Sequence, residues 1–356
     1  MRIDQLVPAY HRGDAIGDEA AELRGFFRGR GFSSEIYCLT RDRGLESDSV
    51  PFAELPTPGP EDVTILHFAL PSPLTEGLAR LPSKKAIIYH NITPPEFFAG
   101  LNPEMARISK IGRDELASLR DRIDLALADS EYNRLELEEL GFRNTHTFPL
   151  FIDFAKYERP FDPFVHKLFR DDRTNILFVG RIAPNKRIEN LVRTVFYFKK
   201  FVSPLVRLVV VGKTDTFPSY HRSVVRMVDE FYLKPDEVRF LGHVPDAEMF
   251  ALYKASDVFL SLSEHEGFCL PLVESLIFDL PVVALASTAV PYTLGQAGIL
   301  INDSRPDRVA ELVDRVAHDA SLRKRVIEAG RRELAAFKSF PREEFLLARI
   351  REIGGR

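Results

Sequence analysis

The chain is predicted to be an α/β protein built from two doubly wound parallel-sheet domains, and three observations carry that prediction. Its 356 residues exceed what one hydrophobic core usually organises. Two successive halves each alternate short apolar runs with amphipathic stretches, the pattern of a parallel sheet covered by helices. The apolar run 176–179 ends in Gly180-Arg181-Ile182-Ala183-Pro184-Asn185-Lys186-Arg187 ahead of a helical pattern, and in open α/β sheets ligands gather at such carboxyl ends of strands.

In the first half, residues 3–7, 34–38, 63–68, 85–90, 125–129 and 145–150 are the expected strands. Helical patterns over 17–30, 103–122 and 131–140 lie between them, the last closed by Gly141 as a C-terminal cap. Pro149, Pro160 and Pro163 interrupt any regular period through 148–169, which places the linker there. The expected domains are therefore 1–155 and 174–338, joined by a linker over 156–173. In the second half the strands fall at 175–179, 206–211, 237–241, 258–262, 282–284 and 298–301, with the clearest helical periods over 188–201 and 309–317. After Pro341, residues 342–353 read as an amphipathic helix, so 339–356 is expected as a C-terminal helix packing back toward the N-terminal domain. The chain shows neither a short-period repeat nor low-complexity sequence.

Composition sets further bounds. Hydrophobic residues make up 45%, charged residues 28%, and the formal net charge is −4, which is not the footprint of a nucleic-acid binder. Residues 1–150 hold 17 Lys+Arg against 24 Asp+Glu, and an acidic front half weakens broad docking on anionic lipid. Cys38 and Cys269 are the two cysteines, too few for a disulfide framework. Met1-Arg2-Ile3-Asp4 sets an acid where a signal peptide needs an apolar core, and no run approaches 18 apolar residues. A cytoplasmic protein is the expectation.

The richest stretch is Ser263-Glu264-His265-Glu266-Gly267-Phe268-Cys269-Leu270-Pro271-Leu272-Val273-Glu274. Pro271 suits a first helical turn, which puts Glu274 near the start of a helix and Glu266 in the loop before it. The amides of Phe268, Cys269 and Leu270 then stand at a positive helix terminus. At about 3.3 Å per extended and 1.5 Å per helical residue the two carboxylates stand on the order of 10 Å apart. That span suits a sugar, a diphosphate and a ribose laid end to end, with carboxylates taking hydroxyls at the ends and backbone donors meeting phosphate between. Arg181 and Lys186 either converge on a diphosphate or are solvated loop cations.

Taken in order, Gly180-Arg181…Lys186, then Val211-Gly212-Lys213 with Phe240-Leu241-Gly242-His243-Val244, then Glu266-Gly267-Phe268…Leu270-Pro271…Glu274, residues 174–335 resemble the nucleotide-binding domain of a retaining glycosyltransferase of family 4. The resemblance implies the GT-B fold, two Rossmann-like domains facing a central cleft. It implies that Glu266 contacts the donor sugar, that Glu274 holds the ribose hydroxyls, and that Arg181 and Lys186 neutralise the diphosphate. Gly180, Gly212, Lys213, Gly267, Phe268, Cys269 and Leu270 complete the implied donor site, and His243 and Val244 fall where family members bind the base through backbone groups. The family usually carries a second glycine where this chain has Cys269, whose side chain either narrows the sugar pocket or faces away.

The first half carries fainter signals. His11-Arg12-Gly13-Asp14-Ala15-Ile16-Gly17 follows the first strand and is either a structural turn or, as the resemblance implies, a loop whose Gly13 backbone approaches donor phosphate, with Arg12 and Asp14 toward the acceptor. His90, in Tyr89-His90-Asn91-Ile92-Thr93-Pro94, is either a structural histidine or the residue that family members set against the donor sugar and the reacting hydroxyl, acting in a neutral form. Ser130 is placed to cap the helix after it. Arg107, Lys110, Arg113, Arg120 and Arg122 are interleaved with acids and read as a solvated face. For a lipid-linked acceptor, that helix and Phe97-Phe98 are the places where peripheral contact with the inner face of a membrane is expected, whereas Phe26-Phe27 and Phe231-Tyr232 read as core aromatics.

The resemblance thus implies a metal-independent hexosyltransferase that needs no cofactor. It takes a nucleoside-diphosphate sugar, GDP- or UDP-linked, as donor and a saccharide or lipid-linked saccharide as acceptor, with catalytic roles for Glu266, His90, Arg181 and Lys186. The chain has no Asp-x-Asp clamp, and His265-Glu266 lacks a second histidine at metalloprotease spacing. The rival expectations are a sugar-nucleotide epimerase or phosphorylase of the same fold, and a non-catalytic nucleotide-sugar-binding protein.

Overall fold

The computed structural model describes residues 1–11 and 15–354, so Gly13, Arg12 and Asp14 lie outside the described residues. It divides into two compact units. Met1–Glu96, Pro103–Asp153 and Pro341–Arg356 form the first, and Phe97–Asn102 with Phe154–Phe340 form the second.

The first unit holds seven strands: β1 (Ile3–Tyr10), β2 (Ile36–Arg41), β3 (Val50–Pro51), β4 (Val63–Phe68), β5 (Lys84–Tyr89), β6 (Leu125–Ala128) and β7 (Thr145–Thr147). They lie in the order β3-β2-β1-β4-β5-β6-β7, and every pairing is parallel. The second unit holds β8 (Thr174–Val179), β9 (Val206–Val211), β10 (Val238–Gly242), β11 (Val258–Ser261), β12 (Val282–Leu285) and β13 (Ile299–Ile301). Their order is β10-β9-β8-β11-β12-β13, again all parallel. Both units are therefore doubly wound α/β sheets. All six residues of β4 and all six of β9 are buried, because helices cover both faces of a parallel sheet, and for the same reason these strands read as unbroken apolar runs.

Each sheet reverses its strand order once, between β1 and β4 and between β8 and β11. Such a switch point opens a crevice beyond the strand ends, because the connections on either side leave toward opposite faces. Beyond β8, the backbone is specified by glycine. Gly180 donates its N–H to Val211 at 2.9 Å and Gly212 donates to Gly242 at 2.8 Å. Gly212 sits at φ +147°, and a Cβ there would stand 2.0 Å from the Gly180 carbonyl oxygen. Only glycine fits that approach.

Several expectations are corrected. The segment 156–173 is no free linker: it carries a 3₁₀ turn at Phe154–Glu158 and a helix at Pro163–Phe169. Asp162 caps that helix through the Phe164 and Val165 amides at 2.8 and 2.9 Å, and Pro163 is a helix starter there. Phe169 is buried in the core of the second unit. Phe97 and Phe98 also pack into this unit. Phe98 is 5% exposed and stacks on Phe217 at 5.1 Å, so it offers no apolar surface for docking. Tyr232 is 87% exposed at φ +51° just past the helix Pro218–Glu230; the helical period that suggested a core position ends before it. The edge strand β3 and the helix Pro73–Arg80 are additional elements, too short to impose a readable period.

The C-terminal helix Arg342–Gly354 belongs to the first unit, where Phe345 stacks on Phe148 at 6.2 Å and Leu346 and Ile350 are fully buried. On the helix Pro103–Leu119, Arg107 pairs with Glu104 and Lys110 with Asp114, a mixed-charge solvated face. Among the described residues no helix is long and apolar enough to cross a membrane.

Gly212→Ala is expected to lower the unfolding free energy by about 2–4 kcal/mol through the clash with Gly180. Gly25→Ala, inside the helix Ala15–Gly29 with open space at the Cβ position, is expected to raise it by about 1 kcal/mol. Urea denaturation of both variants checks the pair.

Candidate functional site

In the second unit the loops after β8 and β11 leave adjacent strands at the switch point, and side chains tie them together. Asn185 is the main tie. It is 5% exposed, its side-chain amide donates to the His265 carbonyl at 2.9 Å, and its own carbonyl accepts from the Glu264 amide at 2.9 Å. Arg187, at φ +50°, ends the short turn Pro184–Lys186. It pairs with Glu264 at 2.5 Å and lies 5.9 Å from the centre of the Phe97 ring.

From this junction Lys186 reaches the Glu266 carboxylate at 2.5 Å. The Glu266 side chain is 5% exposed and that of Lys186 17%, so the pair is largely withdrawn from water and each partner is the other's main compensation. The Glu266 backbone is fixed as well: its N–H donates to Thr288 Oγ1 at 2.8 Å and its carbonyl accepts from the same hydroxyl at 2.9 Å. Ser287 donates to the Ser263 carbonyl at 2.6 Å, and Thr293 to that of Phe268 at 2.6 Å. Carbonyls along 263–268 are thus satisfied by short side chains, which a buried loop requires.

The helix Leu270–Ile277 begins directly after this loop, with Cys269 at its N-cap in the left-handed region, φ +71°. A residue other than glycine is strained there by about 1 kcal/mol or more, which gives a physical reason for the glycine that the resemblance leads one to expect. The Cys269 side chain packs against the core. Burial, and next the Glu266 charge, push its thiol well above the usual range, so it is no reactive thiolate. The amides of Phe268, Cys269 and Leu270 have no acceptor among the described residues. Unsatisfied donors at a helix N-terminus suit an anion.

Glu274 lies one turn into the same helix, where each carboxylate oxygen accepts a phenol proton: Oε1 from Tyr157 at 2.9 Å and Oε2 from Tyr253 at 2.7 Å. Burial raises its pKa and the two tyrosines oppose that shift. Each oxygen keeps one lone pair for a further hydroxyl. Neither tyrosine was identified from sequence. The one general signal is that a buried tyrosine needs a partner for its hydroxyl, and that does not name Glu274.

Arg181 and Lys213 are exposed at the ends of β8 and β9, and neither side chain has a hydrogen-bond or ion-pair partner among the described residues. Gly180 and Gly212 stand back to back beneath them, and Ile182 N–H joins the Lys213 carbonyl at 3.1 Å. His243 is exposed, whereas Val244 points into the core, leaving its backbone for a ligand. Phe268 is likewise 6% exposed and offers backbone groups. Gly267 and Leu270 are half-buried between them.

His90 belongs to the first unit, just past β5, and Gly13 lies outside the described residues. Around His90 is a buried polar cluster. His90 Nε2 faces His67 Nδ1 at 3.1 Å, and His90 Nδ1 faces Asp129 at 3.5 Å. Glu19 stands 3.7 Å from His90 Nε2 and 3.8 Å from His67 Nδ1. Glu19, His67 and His90 form a cluster of metal-ligand type that sequence spacing did not reveal, because β4, the turn just past β5 and a helix supply one residue each. Burial is the first cause of a Glu19 carboxyl pushed from 4.5 to about 7. Ser130 caps the helix Glu131–Glu139 through the Asn133 amide at 3.2 Å.

Comparisons with known proteins bear on the second unit most directly. The family model described as "Glycosyl transferases group 1" matches residues 161–333. The chain is similar to O-antigen chain mannosyltransferase B of Escherichia coli, 28% identical over 164 residues that cover 46% of this chain and 41% of that protein. It is 28% identical over 208 residues to the capsular polysaccharide biosynthesis glycosyltransferase CapM of Staphylococcus aureus, 57% of this chain and 51% of that one. These matches span about half the length of the relatives or less. A GDP-mannose-dependent alpha-mannosyltransferase of Mycobacterium tuberculosis is 27% identical over 295 residues, 79% of this chain and 70% of that one. Among solved structures, Anabaena Alr3699/HepE in complex with UDP and glucose superposes with a TM-score of 0.74 at 16% identity, covering 99% of this chain and 98% of that one. WaaG, a glycosyltransferase involved in lipopolysaccharide biosynthesis, does so with a TM-score of 0.69 at 13% identity, covering 99% and 100%. At such identities the likeness carries the fold, which is GT-B.

Two outcomes follow from the geometry. Lys186→Met strands the buried Glu266 carboxylate and is expected to cost about 2–4 kcal/mol. Adding Glu266→Gln should restore most of that, a coupling of about 1–3 kcal/mol in a double-mutant cycle by urea denaturation.

The second outcome concerns Glu19. Its folded pKa is raised, so the folded state holds the proton more tightly than the unfolded chain. Stability is then greatest below 4.5 and falls as pH rises toward about 7, by ~3 kcal/mol for this group. Glu19→Gln should remove that part of the fall, read as the difference between the two stability–pH curves.

Proposed function

We propose that the chain, whose residues 161–333 match the family model described as "Glycosyl transferases group 1", is a retaining, metal-independent hexosyltransferase of family 4 that uses a nucleoside-diphosphate sugar. The observation that carries this reading is the wall at the β8/β11 switch point. There, one carboxylate held by a lysine, a helix N-terminus with unused amides and a second carboxylate held by two tyrosines follow one another along a single loop and helix. A nucleotide sugar presents hydroxyl, diphosphate and ribose diol in that order.

In this reading Glu266 accepts from a sugar hydroxyl, with Lys186 fixing its position and charge. Arg181, Lys213 and the amides of Phe268, Cys269 and Leu270 receive the diphosphate, supported by the close backbone of Gly180, Gly212 and Gly267. Glu274 takes the ribose hydroxyls with its remaining lone pairs, and His243 and Val244 hold the base by backbone groups. His90 meets the donor sugar and the reacting hydroxyl. Cleavage of the sugar–phosphate bond builds negative charge on the leaving diphosphate. Donors already aimed at that position lower the barrier because they need no reorganisation. The acceptor hydroxyl attacks from the face that the diphosphate leaves, and its proton passes to a phosphate oxygen. The charge of the diphosphate is met by protein groups, so the reading assigns no metal and no cofactor.

The names of the relatives support a saccharide acceptor and a role in polysaccharide biosynthesis, and the reading extends the acceptor to a lipid-linked saccharide. They leave two donors in view, since one relative is GDP-mannose-dependent and one solved neighbour is in complex with UDP and glucose. A cytoplasmic site at the inner face of a membrane suits such acceptors.

Isothermal calorimetry with GDP and UDP tests the reading. One nucleoside diphosphate is expected to bind, and Glu274→Ala to weaken it by roughly 1–3 kcal/mol as the ribose loses its acceptor. Arg181→Ala is expected to lower turnover with its main effect on kcat. Undiminished binding by Glu274→Ala contradicts the assignment.

A further inference from the structure

The buried histidine pair of the first unit has a direction built into its hydrogen bonds. It begins at the carbonyl of Ala20, which can only accept. The Gln5 side-chain amide donates to it at 2.9 Å, which turns the Gln5 oxygen toward His67 Nε2, 2.9 Å away. His67 Nε2 therefore carries a proton. His67 is fully buried, and burial followed by its neighbour His90 holds its pKa well below the usual value, so the ring is neutral and its Nδ1 is an acceptor. Facing it at 3.1 Å in a ring only 4° out of parallel is His90 Nε2, which must then be the donor.

The other nitrogen of His90 faces the Asp129 carboxylate at 3.5 Å. Asp129 accepts from the Asn133 side-chain amide at 2.5 Å and precedes the helix Glu131–Glu139; burial raises its carboxyl, while the His90 ring, Asn133 and the helix dipole favour the ionised acid. A ring that donates at Nε2 and meets a carboxylate at Nδ1 is satisfied when both nitrogens carry protons. Around it stand the Asp129 carboxylate, the Glu19 carboxyl, which burial lifts to about 7, and Arg342, whose guanidinium interacts with Glu19.

We propose that Gln5, His67 and Asp129 are positioning residues that hold the His90 imidazole as a doubly protonated cation in one orientation, so that His90 acts as a standing positive charge and not as a proton acceptor. The use of that charge in glycosyl transfer rests on the function proposed above; the protonation state does not. It also replaces the neutral form that the sequence led us to expect. The competing occupant is a metal ion. His67 Nδ1, His90 Nε2 and the nearer Glu19 oxygen form a triangle with sides of 3.1, 3.7 and 3.8 Å. A point about 2.1 Å from all three exists, which is zinc's distance to nitrogen and oxygen. Zinc there would require both facing nitrogens to be bare, which is incompatible with a hydrogen bond between them.

Long-range proton–nitrogen correlation NMR of the full ¹⁵N-labelled chain near neutral pH separates these states, with His67→Gln and His90→Gln spectra providing the assignments. The expected result is a neutral His67 protonated at Nε2 and a His90 with two protonated nitrogens. In Gln5→Met, which keeps the side-chain volume but loses the acceptor, the His90 cation signature should be lost. Turnover should then fall about tenfold or more, while nucleoside-diphosphate binding changes by no more than about two- to threefold. A neutral His90 in the wild type, a His90 signature unchanged in Gln5→Met, or one equivalent of zinc retained on purification would each overturn the proposal. Failure of the chain to bind any nucleoside diphosphate would count against the proposed function and leave the NMR result standing.

Discussion

Two loops that leave neighbouring strands must bury polar backbone without a sheet ladder to satisfy it, and Asn185 meets most of that demand. From the loop after β8, its side chain and its backbone carbonyl both bond the loop after β11, at His265 and Glu264. With that junction in place the turn Pro184–Lys186 aims Lys186 at Glu266, and the ion pair fixes the carboxylate from which the following helix starts. Thr288, Ser287 and Thr293 complete the restraint from outside the motif. The geometry assigned to a nucleotide sugar is thus the consequence of a backbone accounting problem solved by short polar side chains.

Glycine plays the complementary part beneath the loops. Gly180 and Gly212 bring the ends of β8 and β9 to a distance that no side chain allows, so Arg181 and Lys213 leave the sheet from nearly touching backbones. At Cys269 the opposite choice was made. The chain keeps a side chain in a conformation that favours glycine and in return fills a gap against the core. Whether that exchange narrows the site depends on what stands beside Glu266, since the thiol and the carboxylate are neighbours.

Much of this fold was legible because burial on both faces writes itself directly into sequence. The strands β4 and β9 and the helix Ile188–Phe201 are visible as unbroken or periodic apolar runs, and Pro271 marks the helix start. What was not legible depends on contacts distant in the chain. Tyr157 meets Glu274 across 117 residues and Gln5 meets His67 across 62; no local period encodes either. The prolines of 148–169 were misread because proline interrupts a pattern whether it breaks a helix or, as at Pro163, begins one. Phe97 and Phe98 misled for a related reason: adjacent aromatics suggest an exposed patch until the rings they meet, His265 and Phe217, are known.

The central claim is that the β8/β11 switch point is where a nucleoside diphosphate is held. Hydrogen–deuterium exchange of the whole chain with and without GDP or UDP tests it most directly, since amides that take up phosphate exchange more slowly. The account predicts that protection concentrates in two stretches, residues 180–187 and 266–272. Protection confined to other segments, with these two exchanging as in the free protein at saturating nucleotide, would contradict it.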